Sequence, residues 1–422
     1  MKNYLQRASE INERINILST YSDNTKSITR IFGTKAFVEC SDKIASWMRD
    51  AGLETSIDNM GNVRGKWCSK NPDAKILVIG SHFDTVLNAG KFEGTLGILA
   101  GLDIVEHIIS QNITLPFHLE LIAFSGDAGI RFNYSFLGSE VVTGIFHDRL
   151  LEIKDAGGNT LSKVLHTLNY DPSKLSEDAI SPENWLGYYE MHIEQGNLLV
   201  ENNLPVCVVS SISGQKRIEI KFTGKSGHAG TVRMNLRKDA LCAAAKFILF
   251  VEKYASREKG NLLATVGKIS IERAASNVIP GIVNCSVDIR SNDSKILSEA
   301  YEMIYAECEK ICDKRNIYFE WKLIQEIAPV NCNKKLRKIL TNSISEKNIQ
   351  PINLQSGATH DAAVISYIAP VAMLFVKCFK TIAEGSIETV EINDIASALE
   401  VSEHFILQLA SPTEKITRKK EK

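Results

Sequence analysis

The sequence has almost no excess of charge of either sign, because 49 Lys and Arg residues face 50 Asp and Glu residues, for a formal net charge of −1. A protein that binds nucleic acid or an anionic membrane electrostatically needs a basic surface, so we expect neither kind of partner. No apolar run approaches the roughly 20 residues of a membrane-spanning helix. The N-terminal residues, M-K-N-Y-L-Q-R-A-S-E-I-N, also lack the apolar core of a signal peptide.

The sequence has nine cysteines but no C-x-x-C pair, the spacing that is typical of zinc and redox sites. Cys308 and Cys312 are close in sequence, but they lie on the apolar stripe of a predicted helix. We therefore interpret them as buried core thiols rather than ligands. Scattered cysteines of this kind are typical of proteins in a reducing compartment, which predicts a cytoplasmic location.

The length of 422 residues exceeds what one compact core usually holds, so two domains are expected. Before the middle of the chain, a short apolar run at residues 75–80 is followed by a helical pattern at 96–109 and a second apolar run at 117–124. This β-α-β order predicts an α/β domain with a mostly parallel mixed sheet. Ligand sites in such sheets form at the carboxyl ends of the strands.

A second pattern begins near residue 212 and has the order β-α-β-β-α-β, which is typical of the ferredoxin-like split motif. One of its predicted helices carries apolar residues at spacings of three and four: Leu297, Ala300, Ile304, Cys308 and Ile311. From about residue 326 the chain returns to the α/β pattern. We predict a discontinuous catalytic domain of residues 1–211 and 326–422, and an inserted α+β domain of residues 212–325.

Two polar segments follow the predicted strands of the first domain. S-H-F-D-T carries His82 and Asp84, whose side chains point the same way in an extended chain. A carboxylate beside an imidazole can accept the second ring N–H and orient the ring for metal binding. The alternative is a capped turn with a satisfied histidine. Glu93 follows in a glycine-rich segment, where it is either a helix cap or a ligand.

Several further polar motifs appear along the chain. M-H-I-E-Q-G carries His192 and Gln195, G-K-S-G-H-A-G-T carries His228, S-N-V-I-P-G carries Asn277, V-D-I-R-S carries Arg290, and Q-S-G-A-T-H-D-A-A carries His360 and Asp361. An arginine with nearby amide and imidazole donors suits a ligand that bears a carboxylate. Taken singly, Asn277 is as easily a turn residue and Arg290 a surface ion-pair partner.

The order of these motifs along the chain is more specific than any one of them alone. In the order G-S-H-F-D-T, F-E-G-T-L-G, G-I-R-F-N-Y-S, M-H-I-E-Q-G, G-H-A-G-T, S-N-V-I-P-G, D-I-R and T-H-D-A-A, the sequence closely resembles the allantoate amidohydrolase and N-carbamoyl-L-amino-acid amidohydrolase (hydantoinase/carbamoylase) family. That family is a branch of the zinc aminoacylase and carboxypeptidase group. The resemblance covers nearly the whole chain.

The resemblance implies a catalytic α/β domain with two divalent metals and an inserted ferredoxin-like lid that usually forms a homodimer. It implies hydrolysis of a carbamoyl or amidino C–N bond in a small ureido substrate that bears a carboxylate. By resemblance, His82 and His192 match the histidines of the first metal, and Asp84 matches the partner that orients His82. Glu93 stands where the family has a bridging aspartate, so its carboxylate is about one C–C bond further from the chain.

The second metal position is where the sequence departs most from the family. Asp127, in F-S-G-D-A-G, stands where the family has the glutamate that acts as general base, and it is one methylene shorter. Ala128 replaces a glutamate ligand, and a methyl group donates to no metal. Glu384 occupies the place of the last histidine ligand and is a possible substitute, since carboxylates bind zinc. Glu388 matches a family glutamate.

The residues that would face the substrate are retained: Gln195, His228, Asn277, Arg290, His360 and Asp361. In the family, the histidine of G-H-A-G-T and the arginine of D-I-R help to bind the substrate carboxylate. We expect one metal per chain rather than two, zinc or manganese, although the donor set also suits cobalt or nickel. Two other hypotheses stay open: an inactive homologue that keeps a pocket for small carboxylates, and a decaying gene product without a selected role.

Overall fold

The computed structural model describes residues 2–381 and 387–411. These residues form two compact units. The first contains the described residues up to Ser210, Cys332–Leu354 and the described residues from His360 onward. The second contains Ser211–Asn331 and Gln355–Thr359. The predicted insert ended at residue 325, whereas the second unit continues to Asn331 and takes in a further short segment before His360.

The described part of the chain alternates helices and strands. In chain order, the α-helices are α1 Tyr4–Ser19, α2 Lys35–Asp50, α3 Thr95–Ser110, α4 Leu137–Thr143, α5 Leu161–Thr167, α6 Leu198–Glu201, α7 Ala240–Arg257, α8 Ser294–Arg315, α9 Lys334–Ser345, α10 Asp361–Ile365 and α11 Ile392–Ala410. The strands are β1 Glu54–Ile57, β2 Val63–Trp67, β3 Ile76–His82, β4 His118–Phe124, β5 Trp185–Ile193, β6 Val206–Ile212, β7 Gly214–Thr223, β8 Gly227–His228, β9 Leu263–Thr265, β10 Ile269–Ile271, β11 Val278–Ile279, β12 Ile282–Ser291, β13 Tyr318–Ile327, β14 Val330–Asn331, β15 Asn353–Ser356, β16 Val371–Val376, β17 Phe379–Thr381 and β18 Ile387–Thr389.

The first unit is built on a mixed sheet with the strand order β1-β2-β4-β3-β5-β16-β6. Its centre is parallel, since β3 pairs with β4 and β5 in parallel and β5 pairs in parallel with β16. Towards its edges the pairs β2–β4, β1–β2 and β16–β6 are antiparallel. The predicted α/β class is confirmed, and the parallel strands are those that carry the polar motifs at their ends.

Helix α3 packs against the buried centre of this sheet. Its first eleven residues are all buried, and the helix contacts β3, β4 and β5. The strands β3 and β4 are buried along their whole length. A continuous apolar run, rather than an alternating one, is what a parallel strand covered on both faces requires. Gly94, just before α3, has φ +71°, and a Cβ there would overlap the carbonyl oxygen of His82. Only glycine therefore permits this close approach.

The second unit has the predicted ferredoxin-like order of elements. Its sheet has the strand order β10-β12-β7-β13, with β9 also paired to β12. Asp239 caps α7 by accepting the Cys242 N–H at 3.0 Å, and Asp293 caps α8 by accepting the Lys295 N–H at 2.7 Å. The apolar stripe of α8 is buried in a core of its own, as its spacing predicted.

Two further expectations from the sequence concern membranes and thiols. Among residues 2–381 and 387–411, no helix is both long enough and apolar enough to cross a membrane. All nine cysteines are free thiols, and Cys308 and Cys312 are buried. The interpretation of this pair as core thiols is therefore confirmed.

Candidate active site

The carboxyl ends of three parallel strands bring the first polar motifs to one edge of the sheet. β3 ends at His82, which pairs with Phe124 at the end of β4, and β5 places His192 one residue before its own end. Because the carboxyl ends of parallel strands share an edge, the turn that carries Asp127 reaches His82. The His82 Nε2 lies 3.7 Å from the Asp127 Oδ2.

His82 is in a strongly acidic, buried environment. Its burial opposes protonation of the ring, but the surrounding carboxylates, of which Asp127 contributes most, outweigh it and raise the pKa of His82 to about 10. The residue is 7% exposed. In the metal-free protein, His82 is therefore a positively charged imidazolium at neutral pH.

Asp84 does not contact His82 in the way the sequence suggested. The His82 Nδ1 lies 2.9 Å from the backbone carbonyl oxygen of Asp84, not from its carboxylate. The two carboxylate oxygens instead accept the N–H groups of Asp127 and Ala128, each at 3.1 Å. The expectation of a carboxylate–imidazole bond between these two residues is wrong. Asp84 holds the turn that presents Asp127, and its pKa is raised by burial against the opposing effect of His82.

Two further histidine rings extend the site beside His82. The ring centroids of His82 and His192 are 5.8 Å apart, and those of His192 and His360 are 4.7 Å apart in an edge-to-face arrangement. The His192 Nδ1 faces the carbonyl oxygen of Ile193 at 3.0 Å. All three rings are buried, so the site presents a row of imidazoles within the first unit.

Glu93 and Gln195, a predicted metal ligand and a predicted substrate-binding residue, contact each other. The Gln195 Nε2 donates to the Glu93 Oε1 at 2.7 Å. Glu93 is half-buried and Gln195 is exposed, so the pair lies at the rim of the site. The carboxylate that would ligate a metal is therefore engaged by an amide in this arrangement.

Buried carboxylates behind the histidines were only partly foreseen. Asp361, which the sequence singled out, is 1% exposed, and burial followed by the charge of Asp127 raises the pKa of Asp361 well above its usual range. Glu190, which it did not single out, is fully buried, and burial raises the pKa of Glu190 to about 8 against the opposing charge of His82. The available signal was the period of two along β5, which puts Glu190 on the face of His192.

The side chains that the structure describes do not fit two metal ions. Among residues 2–381 and 387–411, no group of three or more His, Cys, Asp or Glu side chains is arranged to hold a metal. Two imidazoles and a carboxylate suit one divalent cation by donor type. His82, His192 and Glu93 could bind it together while Gln195 donates to the Glu93 Oε1, because the Glu93 Oε2 remains as a donor atom for a cation. Ala128 supplies no donor to a second ion.

The remaining predicted residue of the second metal position, Glu384, lies outside the described residues. Glu388, which matched a family glutamate, lies on β18 and is buried. Its carboxylate stands where a Cβ on Gly90 would lie, so it packs directly on the loop that leads to Glu93.

The second unit carries the other three predicted substrate-binding residues. His228 pairs with Val278 across the β8–β11 ladder, and the Ala229 N–H donates to the Asn277 carbonyl oxygen at 2.9 Å, so His228 and Asn277 are neighbours. Arg290 is in a different position on β12. Its Nε donates to the Asp288 Oδ1 at 2.7 Å. Its Nη1 donates to the carbonyl oxygen of Gly357 at 3.2 Å.

Comparison with known proteins assigns the chain to a family. Residues 78–408 match the model of peptidase family M20/M25/M40. The chain is 33% identical over 383 residues to an N-carbamoyl-L-amino acid amidohydrolase of Geobacillus stearothermophilus, covering 91% of this chain and 93% of that protein. It is 36% identical over 419 residues to allantoate deiminase 1 of Glycine max, covering 91% and 86% of the two chains.

Solved structures agree with the sequence comparison. AtUAH in complex with glyoxylate aligns with a TM-score of 0.89 at 27% identity, covering 96% of this chain and 97% of that one. A hydantoinase/carbamoylase family amidase from Burkholderia vietnamiensis aligns with a TM-score of 0.89 at 26% identity, covering 96% and 98%. The resemblance inferred from the motifs is confirmed, and the chain belongs to peptidase family M20/M25/M40.

Proposed function

We propose that this protein hydrolyses a non-peptide C–N bond in a small ureido substrate of the N-carbamoyl amino acid or allantoate type, with an impaired centre that holds one metal ion. The observation that carries the proposal is the retention of both first-site imidazoles, His82 and His192, in a chain similar to such enzymes over more than nine tenths of its length. The loss of donors is confined to the second position, where Ala128 stands.

One divalent cation, zinc or manganese, would be held by His82, His192 and Glu93. When bound, such an ion lowers the pKa of a water molecule and stabilises negative charge on a reacting oxygen. The hydrogen bond from Gln195 to the Glu93 Oε1 would orient the carboxylate and leave Oε2 as the donor to the ion.

The other residues of the first unit have proposed roles as well. Asp127 accepts the proton of the attacking water, a role supported by its position 3.7 Å from the His82 ring. Asp84 supports this step indirectly by holding the backbone of the turn through both carboxylate oxygens. Gln195, His360 and Asp361 contact the substrate from the same unit.

Within the second unit, the proposed carboxylate-binding residues are His228, Asn277 and Arg290. Arg290 is held in a fixed orientation by Asp288 and the Gly357 carbonyl. A guanidinium fixed in this way binds a planar carboxylate with little loss of side-chain entropy.

A second candidate function is that of an inactive binding or regulatory protein for small carboxylates. It is favoured by the combination of Ala128, where the resemblance places a metal ligand, with the retention of residues to which the resemblance assigns carboxylate binding. A solved relative, AtUAH, carries glyoxylate in its structure. Titration calorimetry with glyoxylate and with an N-carbamoyl-L-amino acid tests this function, and an affinity that survives Asp127→Asn supports it.

We also propose a cytoplasmic homodimer formed through the second unit. At the sheet edge opposite β13, Leu263 on β9 and Ile269 on β10 are exposed apolar side chains, which are typical of a buried interface. Light scattering during size-exclusion chromatography should give a dimer for the natural protein and a monomer for Leu263→Lys/Ile269→Lys. Leu323→Lys, on β13, is the matched control and should remain dimeric.

The decisive test of catalysis pairs metal analysis with turnover. Purified protein is loaded with zinc or manganese, and its metal content is measured by mass spectrometry. Ammonia release is then followed with allantoate and with N-carbamoyl-L-amino acids. We expect at most one ion per chain and slow turnover that Asp127→Asn abolishes. Two ions with rapid turnover would refute the interpretation of Ala128, and no ion with no turnover would favour the binding protein.

A gain-of-function variant sharpens the same test. Restoring the family residues together, as Glu93→Asp, Asp127→Glu, Ala128→Glu and Glu384→His, should raise the metal content to two ions and increase turnover. The matched control carries Ala128→Gln in place of Ala128→Glu, since glutamine has nearly the same size without the anionic donor. Equal metal content in both variants would show that residue 128 does not supply the missing ligand.

A further inference from the structure

Glu190 carries a buried carboxylate to which none of the roles above applies. It lies on β5, fully buried, on the same face of the strand as Tyr188 and His192. The Tyr188 hydroxyl donates to its Oε2 at 3.2 Å, and the Ala362 N–H donates to the same oxygen at 3.1 Å. One carboxylate oxygen thus joins the central strand to the first turn of α10.

The other oxygen is aimed at the site. Within the described residues, the Glu190 Oε1 has no hydrogen-bond partner, and it lies 3.9 Å from the His360 Nδ1. A buried carboxylate oxygen without a hydrogen bond is costly, so such an atom is kept where it has a use. A small approach of the His360 ring would complete the bond.

His360 is the residue through which Glu190 would act. It immediately precedes α10 as its N-cap but makes no side-chain cap of its own, and its ring packs edge-to-face on His192. Glu190 therefore contacts the segment of His360 twice: at the backbone, through the Ala362 N–H, and at the ring, across the 3.9 Å gap.

We propose that Glu190 is a positioning residue that sets the orientation of the His360 ring against His192 through its Oε1. The Oε1 lies on the Nδ1 side of the ring, where it can accept from an Nδ1–H, so the geometry favours one orientation of the ring. This inference rests on the proposed function for its catalytic consequence, but not for the orientation of the ring.

The alternative is that Glu190 only caps α10. Glu190→Gln separates the two roles, because an amide oxygen can still accept from Tyr188 and Ala362 while the group facing His360 becomes an NH₂ donor. Tyr189→Phe is the matched control. Its hydroxyl lies on the other face of the same strand, 2.5 Å from the Ser402 Oγ, so it also loses one buried hydrogen bond.

The experiment records nitrogen-15 spectra of the histidine rings in metal-free protein, with His360→Ala used to assign the signals of His360. Glu190→Gln should shift both ring-nitrogen signals of His360, and Tyr189→Phe should leave them unchanged. Unchanged His360 signals in a folded Glu190→Gln protein would overturn the proposal. If that variant does not fold, Glu190→Asp, which withdraws the carboxylate by one methylene, is used in its place with the same expected shift.

Turnover provides the second measurement. In an active protein, Glu190→Gln should lower kcat/KM about tenfold or more and leave the melting temperature unchanged. Losing a hydrogen bond to a charged group usually has an effect of about this size. An unchanged kcat/KM would also overturn the proposal. If the natural protein has no turnover, the proposed hydrolase function fails, and the His360 spectra still decide whether Glu190 orients the ring.

Discussion

Replacing Asp127 by asparagine removes the negative charge that faces the His82 ring while keeping the shape of the side chain. In the metal-free protein, this change should lower the pKa of His82 from about 10 to about 7. Burial of the ring persists in the variant and continues to oppose protonation. The neighbouring Asp361 does not compensate, because burial raises its own pKa well above its usual range.

The size of the effect follows from the geometry. Two unit charges 3.7 Å apart, the distance from the His82 Nε2 to the Asp127 Oδ2, interact by about 4.5 kcal/mol at an effective dielectric constant of about 20. At 1.36 kcal/mol per pH unit, this energy corresponds to a change of roughly 3 in the pKa. The rise of the His82 pKa from 6.5 to about 10 has the same magnitude.

The pH dependence of folding has a definite sign. Because the folded-state pKa of His82 lies above its usual value, the pairing stabilises the folded protein fully below pH 6.5 and is lost as the pH rises through about 10. Asp127→Asn lacks this contribution. The difference in free energy of unfolding between the two metal-free proteins should therefore be greatest below about pH 6.5, as long as Asp127 is ionised, and shrink as the pH rises towards about 10.

Nuclear magnetic resonance titration of the histidine rings in the presence of a chelator measures the pKa directly, with His82→Gln assigning the His82 signal. Asp73→Asn, at an exposed position on the surface, is the matched control and should leave the His82 pKa unchanged. A natural protein whose His82 titrates near 6.5 would refute the reasoning. So would an Asp127→Asn variant with the same His82 pKa as the natural protein.

Three further predictions concern metal binding and stability. Zinc must displace the His82 proton, so its affinity measured by calorimetry should rise about tenfold per pH unit between about pH 7 and 10, and a flat profile would contradict this. Arg7→Met should lower the free energy of unfolding in urea by about 3–5 kcal/mol, because it leaves the buried carboxylates that Arg7 pairs with, including Glu403 at 2.7 Å, uncompensated. Lys2→Met, which removes an exposed ion pair with Glu10 of the same helix, is its control and should cost less than about 1 kcal/mol. Gly94→Ala should cost more than about 1 kcal/mol and weaken zinc binding, because φ is +71° and the new methyl group would overlap the His82 backbone. A stable Gly94→Ala protein with unchanged zinc affinity would show that the loop moves freely.

Much of the fold was predictable because local patterns agreed with one another. The helical period at 96–109 and the apolar runs on both sides of it predicted α3 between β3 and β4, and these elements lie within a few residues of the predicted bounds. The stripe of α8 identified a core face, since spacings of three and four place residues on one side of a helix. The extent of the second unit was less accessible, because chain pairing rather than composition adds Gln355–Thr359 to it.

The sequence predicted which residues lie in the site better than it predicted the contacts between them. The two-residue spacing of His82 and Asp84 suggested a bond between their side chains. The chain instead leaves β3 after His82, so the backbone carbonyl of Asp84 contacts the His82 ring. The carboxylate of Asp84 accepts from the backbone of the turn that follows β4. Glu190 was missed because its only signal is the period of two along β5, which places it on the face of His192 but does not indicate a role.

The sequence by itself determined the family to which the chain belongs and the chemical types available to it, such as the imidazoles of His82 and His192 and the methyl group of Ala128. Side-chain chemistry is a property of each residue and needs no coordinates. Only the tertiary structure decided that Glu93 contacts Gln195 and that Glu190 faces His360, because residues distant in the chain meet only when strands and loops pack together.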